Sequence, residues 1–151
     1  MEPDQKPELV GEFCHSIFEL RYRLRRMFQL KLKEAGINIS FEVLEIIKTL
    51  RKQNGLNQQE IADLLFKDKS SMTYLIDNMV KAGLAVRKED DADRRNKLIF
   101  LTDKSHQLTA QLAPIANDCY LALAKDIEDN DIELGIQMLA KMNNSLAEFI
   151  I

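Results

Sequence analysis

Residues 56–102 read LNQQEIADLLFKDKSSMTYLIDNMVKAGLAVRKEDDADRRNKLIFLT. Asn57 is a competent helix N-cap, and Glu60 follows three residues later, where a capping-box acid belongs. Ile61, Leu64 and Leu65 then take the inward positions of a short helix, with Ala62 small beside them. FKDKSS interrupts it. Asp68 or Ser70 caps a following helix whose inward positions are Met72, Leu75, Ile76, Met79 and Val80. Gly83 ends that helix, since glycine accepts a left-handed backbone without steric cost. The period then changes. LAVRK and KLIFL are short runs rich in apolar and β-branched residues, and they read as a two-stranded hairpin. Its tip sets Glu89, Asp90, Asp91 and Asp93 ahead of Arg94, Arg95 and Lys97.

Upstream, Leu9, Phe13, Ile17, Leu20, Leu24, Met27 and Phe28 recur at steps of three and four, the mark of a long amphipathic helix. Gly36 is its expected stop. Ser40 caps a second helix with an inward stripe of Phe41, Leu44, Ile47 and Leu50. Downstream, Thr102 caps a helix predicted to run to about Glu128, with Pro114 removing one backbone hydrogen bond and kinking it near Ala110. A last helix begins at Asp129–Asp131 and carries Ile132, Ile136, Leu139, Met142, Leu146 and Phe149 on one face. The opening MEPDQKPE is polar, has two prolines and lacks the apolar run of a secretory signal, so residues 1–8 are expected to be a flexible extension.

The 151 residues suit one domain with a sizeable core. No run approaches the roughly 18 apolar residues of a membrane span, and a cytoplasmic protein is the expectation. Net charge is −3, which argues against a generic polybasic nucleic-acid binder. Its distribution is uneven. Ten basic and eight acidic residues precede Asn57, nine of each lie between Asn57 and Lys104, and two basic face seven acidic residues beyond. A polyanion would therefore meet the first two thirds of the chain, through a local arrangement rather than a bulk excess.

Two short capped helices joined by a tight connection suggest a helix-turn-helix, and a charged hairpin directly after them adds a wing. The second of these helices would lie in a DNA major groove. Opposite its apolar stripe stand Lys69, Ser70, Thr73, Tyr74, Asn78 and Lys81, with Ser71 beside them. Asparagine pairs with adenine, threonine or tyrosine meets a thymine methyl, and lysine suits phosphate. Taken alone, the same face also fits an ordinary solvated helix.

At EIADLL, KSSMTYLIDNM, KAGLAVR and DRRNKLIFLT the chain resembles the MarR family of winged-helix transcriptional regulators. The tip matches the family's Asp-x-Arg signature at Asp93 and Arg95. The resemblance implies a mainly α fold with a minor β part: a winged helix-turn-helix over residues 37–102, flanked by long dimerisation helices at 9–36 and 103–151. It implies a homodimer on a palindromic operator with half-sites about one helical turn apart. It implies Arg95 in the minor groove, Asp93 holding that arginine, and phosphate contacts from Arg94, Arg87, Lys88, Ser40 and Asn57. Repression is the family's commoner mode. The chain departs from the pattern at three places. Phe66 and Lys67 stand in the turn where glycine is frequent, and Phe66 is expected to pack inward without a positive φ. Tyr74 stands where arginine is common, and Asn78 where another basic residue is frequent.

The family's effectors are often small lipophilic or phenolic anions; no residue here names one. Cys14 and Cys119 are read as buried structural thiols, the alternative being a redox-sensing Cys14 with His15 as its neighbour. With only His15 and His106, no metal site is expected, and no cofactor or enzyme motif is found. A winged-helix module that binds protein rather than DNA is the alternative from a different functional class.

Overall fold

Three side-chain caps set the middle of the fold. In the computed structural model, which describes residues 5–150, Ser40, Asn57 and Asp68 each precede a helix in extended backbone and accept a hydrogen bond from its first turn. They open α2 (Phe41–Lys52), α3 (Gln58–Leu64) and α4 (Lys69–Lys81). The capping box is complete: Asn57 Oδ1 accepts from the Glu60 amide at 2.8 Å, and Glu60 Oε2 accepts from the Asn57 amide at 2.7 Å. Ahead of these helices lies α1 (Gln5–Glu34), and after them come β2 (Ala85–Glu89), β3 (Lys97–Leu101), α5 (Asp103–Ala124) and α6 (Asp129–Leu146). Because α1 begins at Gln5, residues 5–8 are helical rather than a flexible extension; the rest of that expected extension lies outside the described residues. Pro7 falls in the first turn, where the amide it lacks has no intrahelical partner to lose.

The expected two-stranded hairpin is a three-stranded antiparallel sheet with β3 at its centre. The added strand, β1, is Leu56–Asn57, pairing with Ile99 and Leu98. Gly55 precedes it at φ 80, and a Cβ there would sit 2.8 Å from the Phe100 ring, so glycine is required on both counts.

Three helices end in the same bond pattern. After α1, Gly36 donates to Lys33 and Ile37 to Leu32; after α4, Gly83 donates to Val80 and Leu84 to Met79; after α3, Phe66 donates to Asp63 and Lys67 to Ala62. This is the Schellman closure, whose left-handed residue is usually glycine. Here the α3 closure uses Phe66, at φ 54 and 97% exposed. The expectation that Phe66 packs inward without a positive φ is therefore corrected. Leu64, also expected to face inward, is turned out, 56% exposed, whereas Leu65 packs on the core.

The chain forms two compact units, one up to Ala116 and one from Asn117. The first holds a core of Val43, Ile46, Ile47, Leu50, Ile61, Met72, Ile76, Met79 and Ile99, with further residues of the sheet. Leu75 and Val80 pack against it only partly buried. Ser105 is fully buried and its hydroxyl donates to the Leu84 carbonyl, so its polar group is satisfied. Along α1 only Phe28 and Leu32 are buried; Phe28 meets Phe41 of α2 with ring centroids 5.6 Å apart. In the second unit α6 buries no residue, and α5 ends at Ala124 rather than near Glu128. Cys119 is buried as expected, but Cys14 is exposed. No helix among the described residues is long and apolar enough to cross a membrane.

Candidate nucleic-acid interface

Local chemistry fixes how α4 is presented. Asp68 Oδ1 accepts from the Ser71 amide at 2.7 Å and Oδ2 from the Ser71 hydroxyl at 3.0 Å. These bonds hold the Asp68 carboxyl below the ordinary carboxylate range, the backbone bond contributing most. With Met72, Ile76 and Met79 buried, the opposite face is left to Lys69, Ser70, Ser71 and Tyr74, all exposed, Tyr74 at 68%. Thr73 and Asn78 are half-buried and Lys81 is exposed. The Thr73 hydroxyl donates to the Lys69 carbonyl at 2.9 Å and accepts from Gln58 Nε2, which ties the start of α3 to the middle of α4. The sequence pattern carried no signal for that bond, which joins residues fifteen positions apart.

The hydroxyl of Ser40 accepts from the Val43 amide at 3.2 Å, so this expected phosphate contact first caps its own helix, as Asn57 does. Neighbouring Glu42 accepts from Arg25 of α1 at 2.7 Å. Burial raises the Glu42 pKa, but the Arg25 hydrogen bond and charge, a backbone bond and Lys67 outweigh it and hold the carboxyl below its usual range. A parallel rung joins Arg21 to Glu45 at 2.7 Å, with the Arg21 guanidinium over the Phe41 ring.

In the wing, the acids divide into distinct roles. Asp93 Oδ1 accepts from the Arg95 amide at 3.0 Å, and the Asp93 carbonyl from the Asn96 amide at 2.9 Å. Asp93 shapes the turn through the backbone, and no ion pair between its carboxylate and the Arg95 guanidinium is found among the described residues. Asp90, which the sequence left without a role, accepts from the Ala92 amide at 3.0 Å and from Asn96 Nδ2 at 3.2 Å. An acid two or three residues before a turn's amides is the local signal for such bonds. Glu89 pairs with Lys97 across the strands at 2.8 Å, and Lys88 lies over the Phe100 ring at 5.0 Å. Arg87 reaches from β2 to Asp77 of α4, Nη2 to Oδ1 at 2.5 Å. Arg94 and Arg95, both exposed, are the wing cations with neither an ion pair nor a ring contact among the described residues. No group of three or more metal-ligating side chains is found among the described residues.

A capped helix-turn-helix with α4 exposed, followed by a sheet whose tip carries arginines, defines a winged-helix protein. The sequence profile described as MarR family matches residues 37–96. The HTH-type transcriptional regulator YkoM of Bacillus subtilis (strain 168) is 34% identical over 84 residues, 55% of this chain and 53% of that protein. The chain spans about half the length of YkoM and, at 55%, of the regulator TtmR of Methylorubrum extorquens (strain PA1). A MarR transcriptional regulator from Methanosarcina mazei Go1 shares the fold at TM-score 0.79 and 23% identity, covering 95% of this chain and 99% of that one. The repressor CouR, solved on a 23-mer DNA duplex, superposes at TM-score 0.77 and 23% identity, covering 90% and 95%. The chain is thus similar to the MarR family of winged-helix transcriptional regulators in sequence over residues 37–96 and in fold over most of its length.

Proposed function

We infer that the chain is a dimeric, sequence-specific DNA-binding repressor that releases its operator when a small lipophilic or phenolic anion binds. The observation that carries this reading is the pairing of an exposed α4 face with a wing tip whose two arginines are left uncommitted while the other wing cations are occupied within the protein. On DNA, α4 enters the major groove. Tyr74 and Asn78 read base edges there, while Lys69, Ser70, Ser71 and Thr73 set the helix on the backbone. Arg95 enters the adjacent minor groove, whose narrow A·T segments concentrate negative potential. Arg94, Lys88, Ser40 and Asn57 are assigned supplementary phosphate contacts in this reading. That a repressor of the same fold has been solved on a DNA duplex supports this docking.

Dimerisation is supported by the apolar surface each unit leaves uncovered: Leu9, Ile17, Phe18 and Leu20 on α1, and Leu121, Ile132, Ile136 and Leu139 in the second unit. A two-fold dimer is the commonest way to bury such faces and matches a palindromic site. For the effector, a hollow of about 60 Å³ between α2 and α5 is lined by Leu44, Ile47, Leu112 and Ala116 with Arg51 at its edge. A drug-sized ligand needs at least about 300 Å³, so effector entry requires that hollow to open. That opening is a means of shifting α2, and with it the DNA-binding surface.

The test is a selection of bound sequences from random duplex DNA, followed by titration of the enriched duplex at several salt concentrations. An enriched palindrome whose binding weakens with salt and with Arg95→Ala supports the reading. No enrichment would leave the protein-interaction module in its place.

A further inference from the structure

The bridge from Arg87 to Asp77 is the strongest feature that DNA reading does not absorb. Asp77 is the only acid within α4, and it lies on the helix that would approach a polyanion. Arg87 stands in the middle of β2, opposite Ile99. The two side chains are 31% and 47% exposed, and ion pairs this wet contribute little to stability. A structural glue is therefore a weak account of the pair.

Its placement suggests another. The chain between α4 and β2 is anchored at its start: the Gly83 carbonyl accepts from the Thr102 hydroxyl and the Ala82 carbonyl from Lys104 Nζ, both at 2.6 Å. The sheet is also held at the register of Arg87, where Ile99 is buried and paired with Leu56 of β1, so only the ribbon beyond that register can pivot. From Arg87 to the wing tip at Asp90 is three residues, or about 10 Å, so a swing of about 20° moves the tip by about 3.5 Å. That is a full hydrogen-bond length at Arg95. Arg87 leaves the sheet at the start of that ribbon and ties it to the recognition helix itself.

We propose that Asp77 and Arg87 are positioning residues that fix the wing relative to α4, so that major-groove and minor-groove contacts form in one register. Arg87 is then a brace rather than a phosphate contact, and it neutralises the one negative charge on α4. The proposal rests on α4 and the wing being the DNA-binding surface.

The experiment compares Asp77→Asn, Arg87→Met and the double variant in the full chain. Residual dipolar couplings of the wing amides in the free protein come first, because they need no DNA. Each variant should reorient or average the β2–β3 vectors relative to α4; couplings unchanged from wild type overturn the proposal. Binding to the selected duplex comes second. Each single variant should weaken binding by about tenfold, and the double variant no more than either, as expected for partners in one interaction. The slope of log affinity against log salt should stay the same, since no phosphate contact is lost. If instead Asp77→Asn tightens binding while Arg87→Met lowers the slope by about one, Arg87 is a phosphate contact and the brace is excluded. Loss of wing order in a protein that binds no duplex would sink the DNA reading and leave the brace standing.

Discussion

At Phe66 a single residue carries two local costs. Its φ of 54 belongs to the left-handed region, which bulky side chains avoid, and its ring is 97% exposed. Glycine at the same closure removes the steric cost and loses no buried surface. Phe66→Gly should therefore raise unfolding stability by up to about 1 kcal/mol, after allowing for the entropy glycine costs in the unfolded chain. The midpoint of denaturant unfolding measures it, and a lower midpoint would refute the strain argument. Asp93 makes an equally local prediction. Since its carboxyl accepts a backbone amide rather than gripping a guanidinium, Asp93→Asn should keep the turn and most DNA affinity. Asp93→Ala should lose both, while Arg95→Ala should flatten the salt slope by about one. Fluorescence anisotropy at graded salt separates the three.

Among elements, the joint between α1 and α2 is built from two Arg–Glu rungs one helical turn apart, Arg25 with Glu42 and Arg21 with Glu45. The folded Glu42 carboxyl titrates below its unfolded value, so its stabilising share is complete above the unfolded pKa and is lost as pH falls through the folded one. Acidification should therefore loosen α1 from α2 before the apolar core of α2, α3 and α4 is affected. Removing the partner with Arg25→Met should raise the Glu42 midpoint, which side-chain carboxyl NMR follows directly; an unmoved midpoint would mean the rung is not formed in solution. The cap of α2 offers a check independent of charge. Ser40→Ala should cost about 1 kcal/mol of unfolding free energy, as for other N-caps.

For the molecule as a whole, the uncovered apolar surface is the feature that one chain leaves unresolved. On α6 no side chain is buried, and Ile136 is the most exposed of its large apolar residues. A charge placed there cannot disturb a core it is not part of, but it would be desolvated in a two-fold interface. Ile136→Glu should convert a dimer to a folded monomer in sedimentation velocity, with helical content kept and operator affinity reduced through lost avidity. A variant that stays dimeric would move the interface away from this face of α6.

Caps, helix periods and the change of period at the wing were legible because each depends on residues within four positions of one another. Ser40, Asn57–Glu60, Gly36 and Gly83 act where their sequence spacing says they act. The family resemblance at residues 56–102 rests on the same local chemistry. What only the tertiary structure decided involves partners far apart in the chain. β1 is two residues long and exists because Ile99 lies beside Leu56; no period announces it. Asp77 finds Arg87 only once β2 folds back along α4. Local propensity writes the elements, whereas which charges meet depends on chain reversals whose geometry no short window of sequence contains.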